Sequence, residues 1–218
     1  MKNNSEGYVF VTGSTGYIGS RLIPQLLAGG FKVTALVRKG SEHKPDKRCN
    51  VVTGDALDSN TFRRFIEEGS TFIHLVGVAH PGPGKEKEFQ KIDKVSVEEA
   101  VKAALSAHAS QFIYLSVAEP APVMKEFIEV RKYGESLLES SGMNAVFVKP
   151  WYVLGPGHYW PYLLLPLYWL CMLIPPFSKT ARRLYPVKLE SVINAILYYV
   201  KNPVKGVISV STSELRRF

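Results

Sequence analysis

Residues 8–19 read Tyr8-Val9-Phe10-Val11-Thr12-Gly13-Ser14-Thr15-Gly16-Tyr17-Ile18-Gly19, and this stretch decides the fold. Tyr8–Val11 is a short, β-rich apolar run, the signature of a strand buried on both faces. Gly13 to Gly19 follow with the spacing G-x-x-G-x-x-G. Tyr17 to Leu27 then shows helical periodicity, with Ile18, Leu22 and Leu26 on one face, Pro24 in the early turns and Gly29-Gly30 as the stop. Each glycine has a physical task. Gly13 permits a tight turn, Gly16 lets the backbone approach a diphosphate, and Gly19 lets the helix pack close to the strand. The helix start offers N–H groups and partial positive charge to that diphosphate. The whole turn, Gly13, Ser14, Thr15, Gly16, Tyr17, Ile18 and Gly19, is therefore a candidate dinucleotide cradle.

Working outward, the alternation continues. Strands are expected at Phe31–Val37, from Val51-Val52 to Gly54-Asp55, and at Thr71–Val76, Gln111–Ser116 and Asn144–Val148. Helices are expected at Leu57–Glu68, capped by Asp58 or Ser59, and at Glu86–Ala109 and Pro122–Ser140. Lys39–Asn50 and His80–Gly84 read as loops. Strands alternating with helices predict an α/β fold, a doubly wound parallel sheet that binds ligands at the carboxyl ends of its strands. After Pro150 the pattern changes. Residues 151–183 are rich in Trp, Tyr, Leu and Pro, and form a substrate-side insertion in a single domain spanning 1–218. A helix (Val187–Lys201) and a last strand (Gly206–Ser211) follow.

The strand ends refine the ligand. Ala35-Leu36-Val37-Arg38-Lys39 holds no carboxylate where one would accept hydrogen bonds from the adenosine ribose of NAD. Arg38, with Lys39 beside it, instead suits the 2′-phosphate of NADP, so NADP is expected over NAD. Asp55, next to Ala56, either accepts from the adenine amino group or caps the next helix.

Composition sets further bounds. The chain has 218 residues, enough for one domain with a large core, and a net charge of +8. Its basic residues are dispersed, with short clusters at Lys44–Arg48 and Lys179–Arg183. No long basic run is interleaved with aromatics, which argues against nucleic acid. The two cysteines, Cys49 and Cys171, have neither disulfide nor metal-ligand spacing. With no secretory segment in view, they point to a reducing, cytoplasmic setting. Tyr162–Phe177 is the most apolar stretch, but prolines 166, 175 and 176 break it and it is shorter than the roughly 20 residues a span needs. Four readings of it stay open: the roof of a pocket for a small apolar substrate, a peripheral membrane contact helped by Arg182 and Arg183, an oligomer face, or helix packing within the core.

The segments TGSTGYIGS, ALVR, VTGDALD, FIYLSV and FVKPWYVLGPG, in that order from residue 8 to 158, closely resemble the short-chain dehydrogenase/reductase superfamily. The likeness is to its extended (NAD-dependent epimerase/dehydratase) and atypical (NmrA-like, complex I 39 kDa-like) branches, with a looser echo in YPVKLESVINAI. The resemblance implies a Rossmann sheet holding NAD(P) and a small C-terminal portion lining the substrate pocket. It makes Leu75, Val76 and Gly77 cofactor neighbours and sets Lys149-Pro150, where relatives have Arg-Pro, at the nicotinamide end. It also implies a Ser or Thr after the fifth strand and a Tyr-x-x-x-Lys pair on the next helix, followed four residues later by Glu. With Glu135 as that Glu, the Lys position is Arg131 and the Tyr position is Phe127. Phenylalanine has no proton to give. Arg131 keeps the charge and could still hold the ribose. Ser116 lies at the strand end, although Val117 competes for the catalytic slot, and Tyr133 does not have the required spacing. Catalytic residues thus stay unassigned, with Tyr152, His158, Tyr159 and His80 as loop candidates for an acid or base. Two functions remain open: an NADP-binding protein without standard reductase chemistry, serving as a redox sensor or assembly subunit, or an NADP-dependent oxidoreductase with a non-standard site for an apolar or sugar-like substrate.

Overall fold

Alternate residues of the first strand face different partners, and that alternation builds the two sides of the molecule. The computed structural model describes residues 7–78, 82, 84–120 and 124–218. Strand β1 (Tyr8–Thr12) turns Val9 and Val11 to one side of the sheet, against Leu22, Ile23 and Leu26 of α1 (Gly19–Ala28) and Val192, Ile193 and Ile196 of α7 (Leu189–Lys201). Phe10 faces the other side. There it is registered with Phe72 of β4 (Thr71–His74), which is registered with Phe112 of β5 (Gln111–Leu115). The three rings stack at centroid distances of 5.3 and 5.0 Å. The helix covering this aromatic ladder, α3 (Val95–Ser106), meets it with Val97, Val101 and the small residues Ala100, Ala103 and Ala104. Large rings on the sheet and small side chains on the helix together fill one buried layer.

The main sheet has seven parallel strands in the order β3-β2-β1-β4-β5-β6-β9. Its remaining members are β2 (Lys32–Val37), β3 (Asn50–Thr53), β6 (Ala145–Lys149) and β9 (Val207–Ser211). The order reverses between β1 and β4, so the crevice lies beyond Thr12 and His74. The doubly wound sheet read from the sequence is therefore present. Three local expectations change. Leu57–Glu68 is two 3-10 turns, Ser59–Thr61 and Arg63–Phe65, because Phe62 leaves helical geometry (φ −135°) to bury its ring completely. The long helix after the fourth strand begins as α2 (Glu86–Glu88), widens to a π-helical segment at Phe89–Lys94, and only then becomes α3. Val187-Lys188 is extended as β8 and pairs with β7 (Val153–Leu154) before α7 starts. Helix α4 (Lys125–Ser140) falls where expected, and the start proposed at Pro122 lies outside the described residues.

Between β7 and β8 runs the Trp- and Leu-rich segment. It folds as a 3-10 turn at Trp160–Leu164, α5 (Leu165–Leu173) and α6 (Pro175–Arg183). No residue of α5 is buried, which corrects the reading that this segment packs within the core.

Candidate active site at the carboxyl edge of the sheet

The glycine turn is held by its own backbone. Gly13 has φ +72°, a conformation that side chains disfavour, and a Cβ there would stand 2.6 Å from the carbonyl carbon of Leu75. Its carbonyl accepts from the Gly16 amide at 3.0 Å, and the Gly16 carbonyl accepts from Ser20 at 3.0 Å. Ser14 donates its hydroxyl to the Leu36 carbonyl at 2.5 Å and pins the turn to β2. Helix α1 starts at Gly19 with no side-chain cap and no acidic residue in its first turn. An anion is the natural complement of such a start. Gly16 is exposed at the mouth, where no side chain blocks approach. These residues fit the diphosphate of a dinucleotide.

The other strand ends surround this turn. Arg38 and Lys39, just after β2, are exposed. Asp55, after β3, accepts the Leu57 amide at 2.9 Å, and Asp58 caps the 3-10 turn by accepting from Asn60. Asp55 thus braces the local turn while staying exposed at the carboxyl edge, beside the half-buried Ala56. Leu75, Val76 and Gly77 follow β4, with Leu75 directly against Gly13.

The slots of the expected proton relay are filled differently. Phe127 packs against Phe89. Arg131 is only 5% exposed, and its guanidinium carbon lies 5.2 Å from the Phe127 ring centre. One amino group donates to the Leu115 carbonyl at 2.9 Å. The other donates to the Val76 carbonyl at 3.3 Å and pairs with Asp93 at 2.6 Å. The second oxygen of Asp93 accepts the Val78 amide at 2.9 Å. Arg131, considered above as a ribose ligand, therefore staples the loop after β4, the end of β5 and the π-helical segment together. Gly77 has no side chain because one would run into this guanidinium. Sequence reasoning missed Asp93, a buried carboxylate that the π-turn aims inward. An acidic residue in helical register with the buried Phe89 and Val97, four positions before and after it, is the signal that could have found it.

Ser116 is buried and donates to Glu135, whose other oxygen pairs with Lys149 at 2.7 Å. Burial holds the Glu135 carboxyl above its ordinary value, against the opposing pull of Lys149 and Ser116. Lys149 also reaches Glu119 at 3.4 Å. Pro150 accepts the Ala118 amide on its carbonyl at 3.0 Å. A hydroxyl, a carboxyl and an ammonium thus form one chain at the ends of β5 and β6.

Beneath the crevice lies a second polar chain that the sequence reading did not find. His74 is fully buried, with Thr12 Oγ1 at 2.8 Å from Nδ1 and Ser96 Oγ at 3.3 Å from Nε2. Ser96 donates to the Asp93 carbonyl, which assigns the proton to Nε2 and makes Nδ1 the acceptor from Thr12. Burial first, and the nearby Arg131 second, lower the His74 pKa to about 3. The imidazole is neutral in the folded protein. An unfolded chain protonates it near pH 6.5, so its contribution is complete above pH 6.5 and is lost as pH falls toward 3. Between pH 7 and 4.5 the loss is expected to reach about 2–3 kcal/mol, at about 1.4 kcal/mol per pH unit. Urea unfolding of wild type and His74→Gln across that range checks it. Wild type should lose its advantage over the variant as the solution is acidified, and parallel curves would refute the assignment.

The far wall comes from the residues after β6. His158, a loop candidate for acid–base work, lies with Nδ1 at 2.8 Å from the Val153 carbonyl, and its Nε2 accepts from the Trp160 indole at 2.9 Å. It also meets the Tyr17 ring edge-on. Both nitrogens are occupied, so its role here is to brace the wall. Arg21 ties the wall to α1 by donating to the Pro156 carbonyl at 3.0 Å. Tyr159 is exposed, and half-buried Tyr152 packs between Trp151 and Trp160. His80 lies outside the described residues. Behind Trp151 and Tyr152 a cavity of about 320 Å³ opens, lined also by Leu164, Leu167, Tyr168 and Phe177. Its walls are almost wholly apolar, suited to a hydrophobic ligand.

Known proteins share this fold and part of this sequence. The model of the NAD dependent epimerase/dehydratase family matches residues 9–164. The ceramide reductase of Caulobacter vibrioides is 26% identical over 215 residues, which cover 97% of this chain and 66% of the reductase. The chloroplast protein TIC 62 of Arabidopsis thaliana is 26% identical over 179 residues, 69% of this chain and 28% of that protein. Among solved structures, the Bordetella bronchiseptica enzyme WbmH in complex with NAD+ superposes with a TM-score of 0.70 at 20% identity, over 94% of this chain and 76% of that one. The chain spans only part of the curated relatives it matches.

Proposed function

Because this chain belongs to the NAD dependent epimerase/dehydratase family, we propose that it holds NADP(H) along the carboxyl edge of its sheet and works without the family's Tyr-x-x-x-Lys relay. The observation that carries this reading is Arg131: buried, paired with Asp93 and bonded to two carbonyls, with Phe127 over it. The amides of Gly13–Gly19 bind the diphosphate, Arg38 with Lys39 takes the 2′-phosphate, and Asp55 and Ala56 flank the adenine. Leu75, Val76 and Gly77 run beneath the ligand. Ser116, Lys149 and Pro150 stand at its nicotinamide end. The bound nicotinamide would supply hydride exchange. Position 127 gives no proton, and the charge at position 131 is turned away into the fold. Binding then stabilises the fold and registers the NADPH level, as in a redox sensor or assembly subunit.

The apolar cavity favours a second reading, reduction of an apolar carbonyl compound. The relative named ceramide reductase is consistent with a lipid-like substrate for this chain. In that case the bound nicotinamide would supply the hydride and Ser116 the proton to the substrate oxygen, and the Lys149 ammonium would replace that proton through the Glu135 carboxylate that links the two.

Calorimetry with the four pyridine dinucleotides tests the binding. NADPH is expected to bind more tightly than NADH. Arg38→Ala should weaken NADPH at least about tenfold and leave NADH within about twofold, since a charge-assisted phosphate contact is removed. Equal losses for both would refute the 2′-phosphate assignment. NADPH oxidation by wild type across a panel of carbonyl compounds distinguishes the readings: turnover abolished by Ser116→Ala selects the reductase. Turnover gained only in a Phe127→Tyr, Arg131→Lys double variant supports the binding protein.

A further inference from the structure

We propose that the α5–α6 hairpin docks this protein onto a membrane surface rich in anionic lipid, and that the apolar cavity opens at that surface. This goes beyond the dinucleotide reading and does not depend on it. Along the hairpin and the turn before it, Leu163 is 82% exposed, Leu173 80%, Trp169 58%, and Leu167, Leu170 and Phe177 each 56%. Two of these residues, Leu167 and Phe177, also line the cavity, so its mouth belongs to the same face. Water-facing apolar clusters of this kind mark interaction sites. Tyr159, Trp160 and Tyr162 are exposed just before the hairpin, an aromatic set suited to the headgroup boundary.

Length and charge identify the occupant. Helix α5 has nine residues, so it is about 14 Å long against a hydrocarbon core of about 30 Å. Among the described residues no helix is long and apolar enough to cross a membrane. The hairpin therefore lies on a bilayer rather than through it. No Asp or Glu occurs between Glu139 and Glu190, whereas Lys179 and Arg182 are exposed on α6. A second copy on the same face would bring two such basic sets together with no carboxylate in the segment to meet them. Anionic headgroups neutralise them.

Co-sedimentation with phosphatidylcholine vesicles, with and without phosphatidylserine, tests the proposal on the whole chain. Wild type is expected to pellet with the phosphatidylserine vesicles, more weakly at high salt, with a blue shift of tryptophan emission. Leu163→Glu, Leu173→Glu and, separately, Lys179→Glu, Arg182→Glu should each lower the bound fraction about tenfold or more. Both pairs are on the surface, so the NADPH-induced thermal shift should stay at its wild-type value, which separates this test from that of the cofactor. Failure to pellet with anionic vesicles overturns the proposal. So does a wild-type dimer that the leucine variants convert to monomer without any vesicle binding, because the occupant would then be a second copy.

Discussion

Gly16→Val is expected to cost this protein its dinucleotide and leave its fold in place. The two effects separate because the glycines of the turn differ in what surrounds them. At Gly13 the backbone is left-handed and a Cβ would press on the Leu75 carbonyl carbon at 2.6 Å, so any side chain there deforms the protein itself. At Gly16 the backbone is ordinary, the residue is exposed, and a Cβ meets only the Gly13 carbonyl oxygen at 3.2 Å. A small shift of the turn accommodates it. What the isopropyl group fills is the approach to the amides at the start of α1. The dissociation constant for NADPH should rise at least about 100-fold, equivalent to about 2.7 kcal/mol. The ligand-free melting temperature should stay within about 3 °C, the response of a domain of this size to under about 1 kcal/mol. Calorimetry and a thermal-shift series measure both. Affinity retained within threefold would mean that these amides do not hold the diphosphate, and the proposed function would fall with them.

The parts that were legible in the sequence share a physical cause. Strands of a parallel sheet are buried on both faces, so Val9–Val11, Phe72-Ile73 and Phe112–Tyr114 appear as unbroken apolar runs ended by loop residues. The glycine turn was legible because its steric demands fall on the residue types themselves. The segment 57–68 was misread because Phe62 and Ile66, four apart and both buried, imitate a helical face. No residue type announces that the chain will make 3-10 turns there. The spacing from Glu135 back to Arg131 and Phe127 was readable, but the partner of Arg131 lies 38 residues away and comes into reach only through the π-helical segment. The His74 chain joins Thr12 and His74, the registered last residues of neighbouring strands, and that register is tertiary information. The apolar hairpin was visible as composition. Which side of it faces water depends on packing that the sequence leaves open.

Asp93→Ala should be the most damaging single substitution among the charged residues near the site. It leaves the Arg131 guanidinium almost wholly buried, with carbonyl dipoles but no counter-charge. Breaking a buried pair by removing one partner costs about 3–5 kcal/mol. At about 2–4 °C per kcal/mol for a chain of this length, the melting temperature should fall by about 6–20 °C. Asp93→Asn, which keeps the shape and one acceptor for Val78, should lose less. The double variant Asp93→Leu, Arg131→Met removes both charges and should recover most of the loss, because an apolar pair of similar volume avoids the desolvation of two ions. That recovery distinguishes a clamp from a ligand contact. If Arg131 reached the nicotinamide ribose instead, Asp93→Ala would spare the melting temperature and the double variant would lose NADPH affinity about as far as Arg131→Met alone. If it serves as the clamp between the loops after β4 and β5, stability and affinity should fall together in Asp93→Ala, because the Val76 carbonyl that Arg131 holds belongs to the loop beneath the proposed ligand, and the double variant should regain stability more than affinity, because Met offers that carbonyl no donor.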